Sequence, residues 1–90
     1  MIPEKDARGT YRTVPTIAFT VRWDEDQRKY VALDTCGSLL SASFDKSRVI
    51  GSARREALLT SRSGVRVTVM VQEDDGKFRN EWIAEPSILL

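Results

Sequence analysis

Two stretches of the chain alternate apolar and polar residues with a period of two, which is typical of a half-buried β-strand. The first covers residues 14–23 and the second covers residues 65–72. An acidic turn follows each stretch, and a return strand is predicted after each turn, over residues 30–34 and 77–83. The second turn contains an Asp-Gly pair, one of the strongest short-range hairpin signals. The pattern therefore predicts two β-hairpins.

Between the two hairpins, residues 45–61 change to the 3.6-residue period of an amphipathic helix. Asp45 is the predicted N-cap, because its carboxylate can accept hydrogen bonds from the free backbone N–H groups of the first turn. Gly64 follows the helix and suits a left-handed cap. The predicted core-facing stripe consists of Val49, Ile50, Ala53, Ala57 and Thr60. We expect this alanine-centred stripe to pack closely on a sheet.

The predicted fold is an α+β domain in which two β-hairpins, in the order ββαββ, form one antiparallel sheet with the helix packed on one face. Residues 39–44 alternate only briefly, so they are either a short extra strand or an extended approach to the helix. Phe78 and Trp82 are expected on the same face of the last strand. The aromatic residues assigned to the core are Phe19, Trp23, Phe78 and Trp82.

Composition and charge limit the classes of protein to consider. With 90 residues, 41% apolar content, 30% charged residues and a net charge of +1, the chain has the character of a globular domain with one core. We assign residues 1–13 to a flexible N-terminal arm, residues 14–84 to the domain and residues 85–90 to an apolar tail. No stretch is apolar over enough residues to cross a membrane. Cys36 is the only cysteine, which agrees with a cytoplasmic location.

The absence of histidine excludes several kinds of chemistry. Histidine is the usual general base near neutral pH and the commonest metal ligand, so Ser-His-Asp sites, Cys-His sites and most transition-metal sites are excluded. The acidic turns at residues 24–26 and 73–75 lack the ligand spacing of a calcium loop. Catalysis by Asp, Glu, Lys or Tyr remains open, but no site pattern indicates it. We therefore predict a protein that is not an enzyme and that binds no metal or cofactor.

A row of arginines on the helix is the most informative candidate site. Arg48, Arg55 and Arg62 are spaced by seven residues and project within about a 40° arc, opposite the core stripe. Guanidinium groups in a row suit the recognition of carboxylates or phosphates, although most exposed arginines simply form a solvated helix face. The predicted partner-binding residues are Arg48, Arg55, Leu59, Arg62 and Arg66.

The local charge adds weight to a binding function. Residues 35–66 contain six Lys or Arg against two Asp or Glu, whereas residues 67–90 contain two against five. A chain of nearly neutral charge therefore has a dipolar surface. The favoured partner is a protein with an acidic patch, and the alternative is weak binding of nucleic acid through the same arginines. An unpaired outer strand would also allow a homodimer to form by edge pairing.

The segment TVRWDEDQRKYVAL at residues 20–33, followed by SARREAL at residues 52–58, resembles the N-terminal domain of HicB-type antitoxins. In that family a strand, a charged turn, a Tyr-Val-Ala strand and an amphipathic helix recur. The similarity covers residues 16–59, but residues 34–37 replace the family's Pro-containing segment and no DNA-binding tail is evident. The ββαββ order is also similar to that of small bacterial domains of unknown function. The resemblance implies an antitoxin-like or inhibitor-like module that binds a partner protein.

Overall fold

The structure, a computed structural model, describes residues 4–5, 11–12 and 14–86. The elements are β1 (Glu4–Lys5), β2 (Tyr11–Arg12), β3 (Thr16–Asp24), β4 (Lys29–Leu33), β5 (Leu39–Ser43), α1 (Lys46–Ser61), β6 (Arg66–Gln72) and β7 (Phe78–Ala84). Strands β1 and β2 pair with each other in an antiparallel ladder inside the predicted N-terminal arm. The rest of that arm, and residues 87–90 of the predicted tail, lie outside the described residues.

Within the described residues, the main sheet has five strands in the order β5-β4-β3-β6-β7 and is mixed. β3, β4 and β5 form an antiparallel meander, β6 and β7 form an antiparallel hairpin, and β6 lies parallel to β3. The expectation of a wholly antiparallel sheet is therefore wrong. The meander makes β5 run in the direction of β3, and α1 carries the chain back across the sheet. β6 then starts at the same end as β3 and pairs with it in parallel.

Residues 39–44, which the sequence pattern left open, contain a strand. β5 pairs with β4, where Ala42 lies opposite Val31, and it forms one edge of the sheet. The main domain therefore has the order βββαββ, and the predicted α+β class is confirmed. A register shift near Leu33 places Leu39 opposite that residue, while Leu40 packs against the core under the helix.

α1 begins and ends close to the predicted positions. Oδ1 of Asp45 accepts a hydrogen bond from the backbone N–H of Ser47 at 3.0 Å, so Asp45 is the N-cap. Gly64 has a φ of +94°, which residues with a Cβ atom rarely adopt. The buried stripe consists of Val49, Ala53, Ala57 and Ser61. Ser61, which the sequence prediction did not include, donates its hydroxyl to the carbonyl of Leu58 at 2.8 Å. No helix among the described residues has the length and apolarity needed to cross a membrane.

The core lies between α1 and one face of the sheet, and the valines of β6 are at its centre. Val67, Val69 and Val71 are fully buried because β6 is an inner strand that the helix covers. The parallel register places Phe19 of β3 beside Val69 and Val21 beside Val71, so these side chains share the helix-facing side. The alanines in the helix stripe allow the close approach that this packing requires.

A register shift in the last hairpin separates two aromatic residues that were expected on one face. Trp82 pairs with Val69 and packs against the core. Phe78 pairs with Gln72 beyond the shift, so its side chain lies on the open face of the sheet and is 44% exposed. One extra residue in a strand reverses the alternation of its side chains. The assignment of Phe78 to the core is therefore wrong, and Trp23 is also 38% exposed.

Candidate functional site

A groove between α1 and the edge strand β5 contains two of the predicted partner-binding residues. Arg48 and Arg55 lie exposed on α1 and line this groove, whose volume is about 530 Å³. The remaining lining residues are Ser41, Ala42 and Ser43 of β5 and Gly51 and Ser52 of α1. We call this set of seven residues the arginine groove.

The helical repeat explains why two distant arginines share one groove. Seven residues correspond to about two turns, so Arg48 and Arg55 are separated by about 10.5 Å along the axis and project in nearly the same direction. Gly51 lies one turn after Arg48 and is exposed. A Cβ atom added at Gly51 would meet no atom within 4 Å, so the groove is open between the two arginines.

The arginine groove carries positive charge that its own residues do not balance. No carboxylate among the described residues lies within ion-pair distance of Arg48 or Arg55. Arg28 and Arg79, in contrast, each pair with a nearby glutamate on their own hairpin. The groove lining adds serine hydroxyls and no acidic residue. Its chemistry therefore suits a ligand with carboxylate or phosphate groups.

The other predicted partner-binding residues lie outside this groove. Leu59 is 48% exposed on α1, and Arg62 is the C-cap residue after the last turn. Arg66 lies on β6, where its neighbour Val67 faces the core, so Arg66 is on the opposite face of the sheet from α1. Nε of Arg66 donates to Oε2 of Glu85 at 2.8 Å. The structure therefore brings Arg48 and Arg55 together and separates Arg66 from them.

The β5 side of the groove was not among the predicted site residues. Its strand Leu39–Ser43 contains neither a charged residue nor a proline. The residues at its two ends, Leu39 and Phe44, are 56% and 74% exposed. A strand pattern without a charged residue or a proline is the signal in the sequence that could have indicated an accessible sheet edge.

Two other surface depressions are lined by residues of a different chemistry from those of the arginine groove. One, of about 450 Å³, has a largely apolar lining that includes Ile17, Phe19 and Leu40, with the exposed thiol of Cys36 at its margin. The other, of about 380 Å³, lies beside Trp23 and the acidic turn after β6. Neither of them is lined by Arg48, Arg55 or Arg62.

The acidic turns have a structural role in the fold. Oδ1 of Asp24 accepts hydrogen bonds from the backbone N–H groups of Asp26 and Gln27, at 2.9 and 3.3 Å. Oδ1 of Asp75 accepts one from the N–H of Lys77 at 2.9 Å. Side chains of this kind complete tight turns by satisfying backbone donors. In the described part of the chain, no group of three or more His, Cys, Asp or Glu side chains could hold a metal ion.

Comparisons of the chain with protein-family models, with curated proteins and with solved structures found no match. The groove itself is therefore the basis for any functional proposal. It supplies guanidinium and hydroxyl donors, it is open between the two arginines, and it lies beside a strand at the edge of the sheet.

Proposed function

We propose that this protein is a non-enzymatic interaction module that binds a partner protein through the arginine groove. The observation that carries the proposal is the position of Arg48 and Arg55, which face a shared groove without a carboxylate partner among the described residues. Such groups are hydrated in the free protein and can form bidentate hydrogen bonds with carboxylates of a partner.

The surroundings of the groove support a protein partner. Leu58 and Leu59 are 50% and 48% exposed on α1, and Leu39 and Phe44 are exposed at the ends of β5. Protein interfaces commonly combine apolar anchors with arginine, whereas a single exposed leucine would carry little information. Here Leu58 and Leu59 lie on the same helix as the two arginines, and Leu39 and Phe44 lie at the ends of the strand that forms the other wall of the groove.

The proposed mode of action is regulatory. A small domain that occupies an acidic site on its partner would block that site, as an antitoxin-like or inhibitor-like module does. The resemblance of residues 16–59 to HicB-type antitoxins supports this form of the proposal. The cytoplasmic location expected from the cysteine content is part of the same proposal.

Weak binding of nucleic acid is the second candidate function. The paired arginines and the serine hydroxyls of the groove favour it, because both groups contact phosphate oxygens. Arg66 does not extend this surface, since it lies on the other face of the sheet and pairs with Glu85. Two arginines provide a smaller basic footprint than a dedicated nucleic-acid binder normally has.

The test is a comparison of partners captured from the native host by three forms of the protein. The wild type and Arg62→Ala should recover the same specific protein, and the double variant Arg48→Ala, Arg55→Ala should lose it. Arg62→Ala is the matched control because it removes one charge of the same row outside the groove. Equal recovery by all three forms would exclude the arginine groove as the contact surface.

A titration with single-stranded and duplex oligonucleotides examines the second candidate. Binding to phosphates should be measurable at low salt and should weaken steeply as salt rises, because counterions are released on binding. An absence of binding at low salt would remove nucleic acid as a candidate.

Sedimentation at several protein concentrations would show in parallel whether the chain forms the homodimer proposed from its sheet edge.

A further inference from the structure

The two edges of the main sheet differ in how well they are protected. Natural proteins protect edge strands with charged side chains, bulges or covering elements, because free N–H and C=O groups otherwise pair with other chains. β7 contains charged residues and a register shift, and its Arg79 forms ion pairs with Glu73 and Glu81. β5 also has a register shift where it pairs with β4, but it contains no charged residue, and no described strand pairs with its outer side.

The available edge lies directly beside the arginine groove. Ser41, Ala42 and Ser43 of β5 form one wall of the groove, and α1 forms the other. A chain that paired with β5 would therefore place alternate side chains on the helix-facing side, where Arg48 and Arg55 are exposed. Its remaining side chains would lie on the open face of the sheet, near the exposed Leu39.

The spacing of the arginines fits side chains on one face of an added strand. Arg48 and Arg55 are separated by about 10.5 Å along the helix axis. Side chains at positions i and i+2 of a strand are separated by about 6.7 Å, and those at i and i+4 by about 13 Å. An arginine side chain is long enough to make up the difference between the helix spacing and either of these strand spacings. Two acidic residues on the same face of the added strand can therefore each contact one guanidinium.

We propose that the arginine groove binds an extended acidic segment, which adds to β5 as a sixth strand and presents carboxylates to Arg48 and Arg55. This inference rests on the proposed function and names the chemistry of the partner. A second copy of the chain is a poorer occupant. Pairing β5 with β5 would bring two sets of arginines together, and β5 has no acidic residue to offset them.

The probes are short synthetic peptides with blocked ends. In the first, glutamate alternates with valine. In the second, lysine replaces glutamate, and in the third, every backbone nitrogen is methylated while all side chains are kept. The third peptide has the same side chains and charge but cannot pair as a strand, because it has no N–H donor on either edge. A single-stranded oligonucleotide of matching charge represents the other class of ligand.

Titration of the full chain, followed by amide NMR, should show binding of the glutamate-valine peptide with Kd at least about tenfold lower than for either control peptide. Hydrogen exchange of amides in Leu39–Ser43 should slow on binding, because an added strand pairs with the outward N–H groups of β5. Equal binding of the methylated peptide, unchanged exchange in β5, or tighter binding of the oligonucleotide would overturn the proposal.

Three variants test whether the peptide binds in the arginine groove. Arg48→Ala combined with Arg55→Ala should raise Kd at least about tenfold, whereas Arg62→Ala should change it less than about threefold. Gly51→Leu adds a side chain between the two arginines without changing the charge, and leucine is a better helix former than glycine. This variant should fold at least as stably as the wild type and lose binding. Retention of full affinity by Gly51→Leu would overturn the proposal.

The two proposals can fail separately. If the double variant loses its cellular partner while the peptide leaves β5 exchange unchanged, strand addition is wrong and the proposed function stands. If the double variant retains both the partner and the peptide, both proposals are wrong.

Discussion

The guanidinium of Arg54 lies over the indole ring of Trp82, with Cζ 4.9 Å from the ring centroid. The next residue, Arg55, lines the groove on the β5 side of the same helix. Two consecutive arginines therefore face different sides of the helix, because neighbouring positions on a helix are separated by about 100°. Arg54 covers a core aromatic residue, whereas Arg55 is available to a ligand.

Arg54→Ala should lower the free energy of unfolding by about 0.5–1 kcal/mol, through loss of the cation–π contact and of the apolar stem that covers Trp82. Urea unfolding followed by circular dichroism would measure the change. Arg55→Ala is the matched control and should stay within about 0.5 kcal/mol of the wild type. Equal losses for the two variants would contradict the structural distinction between them.

Gly51→Ala should raise the free energy of unfolding by about 1 kcal/mol, because alanine is the better helix former and its Cβ would meet no atom within 4 Å. Gly64→Ala should instead lower the free energy of unfolding. Its φ of +94° strains any residue with a Cβ atom, at a cost of about 1 kcal/mol or more. Thermal unfolding of both variants provides the comparison, and a loss of stability in Gly51→Ala would contradict the open surroundings of that residue.

The register shift in β7 predicts unequal effects of truncating its two aromatic residues. Trp82→Ala removes a side chain that packs against the core, and it should lower the free energy of unfolding by about 3 kcal/mol. Phe78→Ala acts on a side chain that is 44% exposed on the open face, and the loss should stay near about 1 kcal/mol. Urea midpoints would reveal the difference. Comparable losses would indicate that both rings share one face.

Asp45→Ala should destabilise the protein by about 1 kcal/mol, because Asp45 caps α1 through the backbone N–H of Ser47 at 3.0 Å. Asp45→Asn keeps an acceptor oxygen at the cap and should recover most of that loss. Chemical denaturation of the two variants is the measurement. A similar loss for alanine and asparagine would exclude the capping hydrogen bond as the cause.

Part of the candidate site follows from the sequence. The seven-residue spacing predicted that Arg48 and Arg55 share a helix face, and both line one groove. Arg66 was predicted to bind the partner together with them, but it belongs to β6 on the other side of the sheet. Proximity in sequence does not indicate a shared surface once the chain leaves the helix. The contribution of β5 required knowledge of which strand forms the edge.

The sequence by itself determined the local structure of this protein. Period-two alternation, the 3.6-residue helix period, the Asp45 cap and the Asp-Gly turn each depend on residues that are close along the chain, and the structure contains each of these elements. Such signals need no knowledge of distant packing, because they reflect backbone preference and which side of one element is apolar.

Only the tertiary structure decided which strands are neighbours. The parallel pairing of β3 with β6, and the register shift that turns Phe78 away from Trp82, depend on contacts between distant segments. A strand's side-chain pattern is compatible with several neighbours and registers, and burial of the whole core selects among them. The same selection leaves β5 at the edge beside α1, and this placement makes Arg48 and Arg55 part of the wall of a groove.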